Sequence, residues 1–319
     1  MQPAMEIILP ATSANLGPAF DTAAIAVRLH LRVRAAEAGD FQISATGRDA
    51  AICGQVENNL LLDTYRDILE QHGQTPVPLR IAIDNSIPIG KGLGSSAAAR
   101  LAGVALAVHF GSLPWTDAAI LAEAARRECH ADNVAACWLG GFVLVSSSNG
   151  SGGGGGVQAR RIESRGDWPL LLAITDDPLP TEQARSVLPE HYSRADVVSQ
   201  VQQAMLLAAG FVEGRPDLVR DALHDRMHEP YRSPLCPLLE PLRSLSGQHG
   251  VLGAVLSGSG PSVLVLLDPE APAFAVCQRL SDFLRERGLR AELLLTDIEK
   301  HGACERRSFT PPGVLRQDS

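Results

Sequence analysis

Six cysteines are scattered along this 319-residue chain (Cys53, Cys129, Cys137, Cys236, Cys277 and Cys304), and no two of them form a CxxC pair. That spacing builds neither a zinc site nor a disulfide framework and fits reduced, mostly buried thiols in a cytoplasmic protein. Positive charge is also in short supply. Asp and Glu number 36 against 28 Lys and Arg, for a net charge of -8, the reverse of the basic patch that a nucleic-acid surface needs. No apolar run is long enough to span a bilayer, and the N-terminus lacks the basic-then-apolar order of a signal peptide. The expectation is a soluble chain with a small-molecule ligand, no nucleic-acid or membrane partner, and room for a homodimer. With 45% hydrophobic and 20% charged residues its composition is ordinary for a globular protein, and its length favours two domains.

Two familiar nucleotide signatures are missing as well. No Gly-Lys-Ser or Gly-Lys-Thr closes a glycine run, which excludes the common P-loop. The glycines are not spaced as in a dinucleotide-binding turn, and no βαβ repeat surrounds them. What is present is Pro88-Ile-Gly-Lys-Gly-Leu-Gly-Ser-Ser-Ala-Ala-Ala-Arg100. Gly90, Gly92 and Gly94 permit positive φ and close backbone approach, and the alanine-rich stretch 97–110 predicts a helix. A loop feeding a helix N-terminus aims free N–H groups and a positive dipole end at one point, a cradle for phosphate.

Around that loop the periodicity predicts an α+β fold. Residues 6–9 read as a short strand broken into a loop by Pro10. From 25 to 34, Val27, Leu29, Leu31 and Val33 alternate with Arg28, His30, Arg32 and Arg34, a half-buried antiparallel strand. Residues 41–46 repeat the pattern, 59–72 predict a helix, and 79–83 a strand delivering the chain to the loop. Thr116 and Asp117 open a helix running to about 129, His130 to Asn133 interrupt it, and 140–145 resume as a strand. The Ser/Gly tract 146–156 reads as a hairpin tip or domain junction. In the second half, strands at 169–174, 251–256, 263–267 and 291–296 interleave with helices at 195–211, 216–228, 235–249 and 273–287. That order suggests a split βαβ, ferredoxin-like unit. The expected domains are 1–150 and 151–302, with a loosely held polar tail over 303–319.

Four constellations carry polar groups that could do chemistry. Thr12, Ser13, Asn15 and Asp21 lie in the first loop, where they could hold a polar ligand or only bond their own turn. Glu128-Cys-His-Ala-Asp-Asn133 packs two acids, an imidazole and an amide into six residues. Glu128 is a candidate magnesium ligand there, and His130 and Asn133 could equally be helix-end punctuation. Arg185, in the run Thr181-Glu-Gln-Ala-Arg185, and Arg232 offer guanidinium forks for a carboxylate, against the bland reading of solvated surface charges. Ser257-Gly-Ser-Gly-Pro261 is a tight backbone turn.

Taken in order, Pro10–Pro18, Gly90–Ala98, His130–Ala135 and Leu256–Ser262 resemble the galactokinase–homoserine kinase–mevalonate kinase (GHMP) family over about residues 6–299. The segments around Asn15 and Asp21, His130–Asn133, Glu182–Pro189 and Glu229–Arg232 resemble its homoserine kinase branch. The resemblance implies a domain like the second domain of ribosomal protein S5 followed by a ferredoxin-like domain. It implies phosphorylation of the homoserine hydroxyl by ATP with Mg²⁺, as in threonine biosynthesis. Pro88, Gly90, Lys91, Gly92, Leu93, Gly94, Ser95 and Ser96 would cradle the phosphates, Asn59 would lie near adenine, and Ser96 and Glu128 would hold the metal, with Glu123 as competitor. Asn15, Asp21, His130, Asp132 and Asn133 would surround the amino and hydroxyl ends of the acceptor. Thr181, Arg185, Arg232, Gly258 and Gly260 would surround its carboxylate. Ala19, Cys129 and Ala131 depart from the family pattern. The rival expectations are a mevalonate-type kinase, or a non-catalytic metabolite-binding protein, on the same fold.

Overall fold

The computed structural model describes residues 2–128, 130–147 and 156–311. Cys129, most of the glycine-rich tract and the end of the tail lie outside the described residues. The strands are β1 (Ala4–Ala14), β2 (Ala23–Glu37), β3 (Gln42–Gly47), β4 (Leu79–Asn85), β5 (Phe142–Ser147), β6 (Val157–Ile162), β7 (Pro169–Ile174), β8 (Val251–Leu256), β9 (Val263–Leu267), β10 (Glu292–Asp297) and β11 (Arg307–Thr310). The helices are α1 (Ala50–Cys53), α2 (Leu60–Gln71), α3 (Ser95–Phe110), α4 (Asp117–Glu128), α5 (Ala131–Leu139), α6 (Thr181–Ser186), α7 (Arg194–Glu213), α8 (Pro216–Ala222), α9 (Glu229–Arg232), α10 (Leu239–Arg243) and α11 (Ala273–Glu286).

One sheet runs β11-β1-β2-β4-β3, with β5 paired to the start of β2 and β6 to β5. The alternation read from β2 holds: Val27, Leu31 and Val33 are buried, and Arg28, Arg32 and Arg34 are exposed. β1 departs from expectation by continuing through Pro10 to Ala14. The ladder with β2 shifts at Pro10/Ala11, an irregularity that admits a residue with no N–H to donate. β3 lies parallel to β4, the 31 residues between them forming a crossover that contains α1 and α2. Helix α3 is buried along most of its length. Its small residues let neighbours approach closely: a side chain on Gly103 would collide with the Leu61 carbonyl.

The second sheet runs β10-β7-β9-β8, all antiparallel, the strand order of the expected ferredoxin-like unit. Strands β7, β8 and β9 are continuous apolar runs because both faces are covered, whereas the edge strand β10 is partly exposed. Leu170, Leu172, Leu264 and Leu266 join the main core, whereas Leu171, Ala173, Val263 and Val265 pack with Leu239, Val276 and Leu280.

Several boundaries move. β6 and β11 belong to the first sheet, so the division at 150 and the loosely held tail from 303 do not match the strand pairing. The helix expected over 216–228 stops at Ala222. The Asp225 carboxylate takes the N–H groups of Met227, His228 and Glu229, replacing a helical ladder with a side-chain turn. The helix expected over 235–249 reduces to α10 in a segment carrying Pro234, Pro237 and Pro241. Finally, 131–139 is a helix of its own, with His130 as its N-cap residue.

Candidate active site

The glycine loop joins β4 to α3. Gly90, Gly92 and Gly94 have φ of 71°, 75° and 70°, values that side chains rarely adopt. Gly94 is the N-cap of α3, and no side chain caps the helix there, so its first-turn N–H groups remain open for an anion. The second domain braces the loop from below. Ser257 Oγ donates to the Gly92 carbonyl at 2.8 Å, and Leu179 N to the Gly90 carbonyl at 3.3 Å.

Facing the helix end is a cleft of about 290 Å³ lined by Asn15, Phe20, Asp21, Gly90, Gly92, Leu93, Gly94, Ser95, Ser96, Glu128, His130, Asp132, Asn133, Thr181, Arg185, Arg232 and Gly258, with Ile89, Leu179, Pro180 and Ser259 completing the wall. Ser96 Oγ donates to Glu128, whose other oxygen accepts from Arg100 Nε at 2.8 Å. Glu123 is turned away, bound by Arg126 and Arg127 at 2.6–2.8 Å. The residues fit a magnesium ion that arrives with phosphate. Ser96 and Glu128 present adjacent hard oxygens, and among the described residues no cluster of three His, Cys, Asp or Glu forms a complete cage. Magnesium commonly takes one or two carboxylates and fills its sphere with phosphate oxygens and water.

Asn15 and Asp21 sit at left-handed φ of 73° and 53°. The Asn15 amide braces its own loop: Oδ1 accepts from Asp21 N at 2.9 Å, and Nδ2 donates to the Gly258 carbonyl at 2.8 Å. Asn133 Oδ1 accepts from Thr12 Oγ1 at 2.7 Å. Arg185 Nη2 reaches both Asp21 oxygens at 3.0 and 3.3 Å, and its Nε lies 3.3 Å from His130 Nε2. Asp132 is buried; desolvation first and the nearby Asp21 charge second raise its carboxyl to about 6. Two acids so placed favour a cation between them. Burial pulls His130 down, but the Glu128 carboxylate and the Asp132 charge outweigh burial and the Arg185 charge, and its imidazole is raised overall.

Arg232 is 1% exposed and has no acidic partner among the described residues. Its Nε donates to the Ala184 carbonyl at 2.9 Å, and its guanidinium lies 5.3 Å from the centre of the Phe20 ring. Burial and then the Arg185 charge lower its pKa. An unpaired buried cation is costly, which marks the cleft as an anion site.

Beside this cleft, sharing Ile89, Ser95 and Ser96 with it, is a second cavity of about 200 Å³, walled by Leu31, Ile52, Cys53, Leu60, Ile83 and Ile87. Asn59 lines it, but its side chain is committed to the N-cap of α2. Oδ1 accepts from Leu62 N at 3.2 Å, and Nδ2 donates to the carbonyls of Cys53 and Gln55 at 2.9 Å. Asn59 therefore shapes the wall. Pro88, Lys91 and Gly260 do not line the cleft. Lys91 Nζ bonds the Asp176 carbonyl across the domain seam, and Gly260 abuts Gly92. Phe20 and Pro180 carry no ionisable group that marks them in the sequence, and Ser259 lies within the Ser257–Pro261 turn. Arg100 could have been found by its spacing, one turn beyond Ser96 on the same helix face.

Beneath the site Glu229 is 1% exposed. Burial lifts its carboxyl to about 7, Arg243 pulls it down by less, and Asp225 adds to the rise. A carboxyl raised in the folded state contributes stability below its unfolded pKa and loses it as pH rises through the folded value. The melting-temperature advantage of the unmodified chain over Glu229→Gln is therefore expected to be greatest near pH 5 and to shrink by pH 8. Scanning calorimetry at both values tests this, and a constant difference would refute it.

The kinase N-terminal model described as "GHMP kinases N terminal domain" matches residues 59–141, and "GHMP kinases C terminal" matches 207–286. A homoserine kinase of Solibacter usitatus is 40% identical over 92% of this chain and 94% of its own length. The chain belongs to the homoserine kinase branch of the GHMP kinases. A homoserine kinase of Deinococcus radiodurans is 34% identical over the same shares of the two chains. The crystal structure of homoserine kinase from Cytophaga hutchinsonii superposes on this GHMP kinase with a TM-score of 0.80 at 25% identity, covering 97% of this chain and 98% of that one. Mevalonate kinase of L. major shares the fold alone, with a TM-score of 0.67 at 15% identity over 93% and 97% of the two chains. Among the described residues no helix is long and apolar enough to cross a membrane.

Proposed function

We propose that this GHMP kinase transfers the γ-phosphoryl group of ATP to the side-chain hydroxyl of L-homoserine, giving O-phospho-L-homoserine and ADP. The observation that carries the reading is Arg232, a buried guanidinium without an acidic partner among the described residues, in the same cleft as an uncapped helix N-terminus. One feature suits a carboxylate and the other a phosphate, and an acid acceptor for a phosphoryl group presents both needs.

The apolar cavity beside α2 takes the base, and the N–H groups at the start of α3 hold the phosphates. Ser96 and Glu128 would hold Mg²⁺, which supplies charge neutralisation for the nucleotide. Arg185 and Arg232, with Thr181 and the Gly258 turn, receive the acceptor's carboxylate. Asp21 and Asp132 receive its ammonium, since Asp21 is already paired with Arg185 and is poorly placed to act as a strong base. Asn15 and Asn133 orient the hydroxyl. Phosphoryl transfer depends mainly on positioning and charge neutralisation, and these residues supply both.

The deciding experiment is coupled ADP release with ATP and Mg²⁺ over L-homoserine, mevalonate and L-serine. Dominant turnover with L-homoserine supports the reading; preference for mevalonate, or ATP binding with no turnover, would sink it. Glu128→Gln is expected to lower kcat by about 100-fold or more while the acceptor KM moves little. An unchanged kcat at saturating Mg²⁺ would remove Glu128 from the metal.

A further inference from the structure

His228 opens the run His-Glu-Pro-Tyr-Arg232 and lies under the cleft with 0% of its side chain exposed. Both ring nitrogens are engaged. Nδ1 is 3.2 Å from Arg232 Nη1, and Nε2 is 2.8 Å from the Gly17 carbonyl oxygen. A guanidinium only donates, so Nδ1 must accept, and Nε2 carries the proton that it donates to Gly17. The ring is thus neutral and in a single tautomer.

The surroundings agree. Phe20 stacks on the imidazole with centroids 5.1 Å apart. Arg232 faces the ring from α9, Asp225 lies 3.8 Å from Nε2 on the ring's own segment, and Asp21 approaches from the β1–β2 loop, with Arg185 of α6 next to it. Burial above all, with Arg232 assisting against Asp225 and Asp21, lowers the imidazole to about 4.

The Ala184 carbonyl holds Arg232 Nε at 2.9 Å, but the far end of the guanidinium leans on His228. Besides His228, its Nη1 reaches, among the described residues, only the Gly258 carbonyl, at 3.5 Å, the outer limit of a hydrogen bond. Its Nη2 has no hydrogen-bond partner among the described residues and faces the cleft's ligand space. We propose that His228 is a positioning residue for acceptor binding: it orients the Arg232 guanidinium toward the acceptor's carboxylate and ties it through Gly17 to the loop that carries Asn15 and Asp21. The inference rests on the proposed role of Arg232 as a carboxylate ligand.

Two substitutions separate the two nitrogens. Asparagine restores an acceptor near the Nδ1 position, and glutamine a donor near Nε2. Kinetics would be measured on L-homoserine and on 2-aminobutane-1,4-diol, its carboxylate-free counterpart. His228→Gln is expected to raise the L-homoserine KM by roughly 10-fold or more, leaving kcat, the ATP KM and the diol KM nearly unchanged. His228→Asn is expected to recover most of that loss. Equal defects in both variants, or an equal shift with the diol, would overturn the proposal. Arg232→Lys is the control for the underlying reading. If it fails to distinguish acid from diol, the carboxylate role falls and the inference with it; if it distinguishes them and His228→Gln does not, only the inference falls. In the unmodified chain, long-range ¹H–¹⁵N spectra at pH 6 are expected to show one histidine ring as the neutral Nε2–H tautomer. Assignment of His228 as protonated, or as Nδ1–H, would refute it even if the variants failed to fold.

Discussion

Gly94→Ala is expected to leave a folded chain whose kcat/KM is lower by about 100-fold or more, the scale of loss that follows displacement of reacting groups by an ångström. Two effects act together. Gly94 has φ of 70°, a region that costs an L side chain roughly 1–2 kcal/mol. The added methyl would also collide with Thr12 Oγ1 and lie 3.2 Å from Asn133 Oδ1. Relief of that collision must move the start of α3, the Thr12–Asn133 bond, or both, so nucleotide and acceptor subsites are disturbed at once. Steady-state kinetics with a parallel melting curve tests it. A well-folded variant within threefold of normal activity would show that the loop tolerates what its geometry forbids.

Arg185→Ala is expected to raise the L-homoserine KM by about 30-fold, since truncating one partner of a buried, hydrogen-bonded charge pair costs about 2–5 kcal/mol and this pair is partly buried. The lower end applies because Arg185 keeps 33% of its side-chain surface exposed. The substitution also leaves Asp21 without its partner, beside Asp132, whose carboxyl is already raised by burial and by the Asp21 charge. Arg185→Lys should rescue poorly, because Nη2 meets both Asp21 oxygens while Nε faces His130, a fork that an ammonium does not reproduce. Full rescue by lysine would reduce the role to bare charge. Collapse of kcat with an unchanged KM would move Arg185 from acceptor binding to the transfer step.

Much of the cleft is legible in the sequence. Gly90, Gly92, Gly94 and Ser96 stand out by residue type and spacing, Asp21, Glu128, Arg185 and Arg232 are singled out by the resemblance to the GHMP kinases, and the fold brings all of them to one cavity. What stayed hidden depends on partners far along the chain. Asn59 looks like a ligand contact until its amide is seen bound to Cys53, Gln55 and Leu62. His130 can be read as the end of one helix, yet it begins another. The β1 extension past Pro10 is invisible because a proline ordinarily ends a strand, and only the pairing with Ala24–Val27 shows the shift that tolerates it. Phe20 carries no charge to draw notice, and its place against both Arg232 and His228 is a product of tertiary packing.

The strand Arg307–Thr310 has a bearing on how the chain comes together. It pairs with Ala4–Ile7, joining the two extremities of the described chain over a span of roughly 300 residues, and the chain entropy lost on closing a free loop of that length is about 5 kcal/mol. Four ladder positions cannot offset that alone. The pairing becomes favourable only after both sheets and the Val27–Ile298 bridge have already brought the extremities together. The last strand is thus a latch across the two ends of a body that both sheets already hold together.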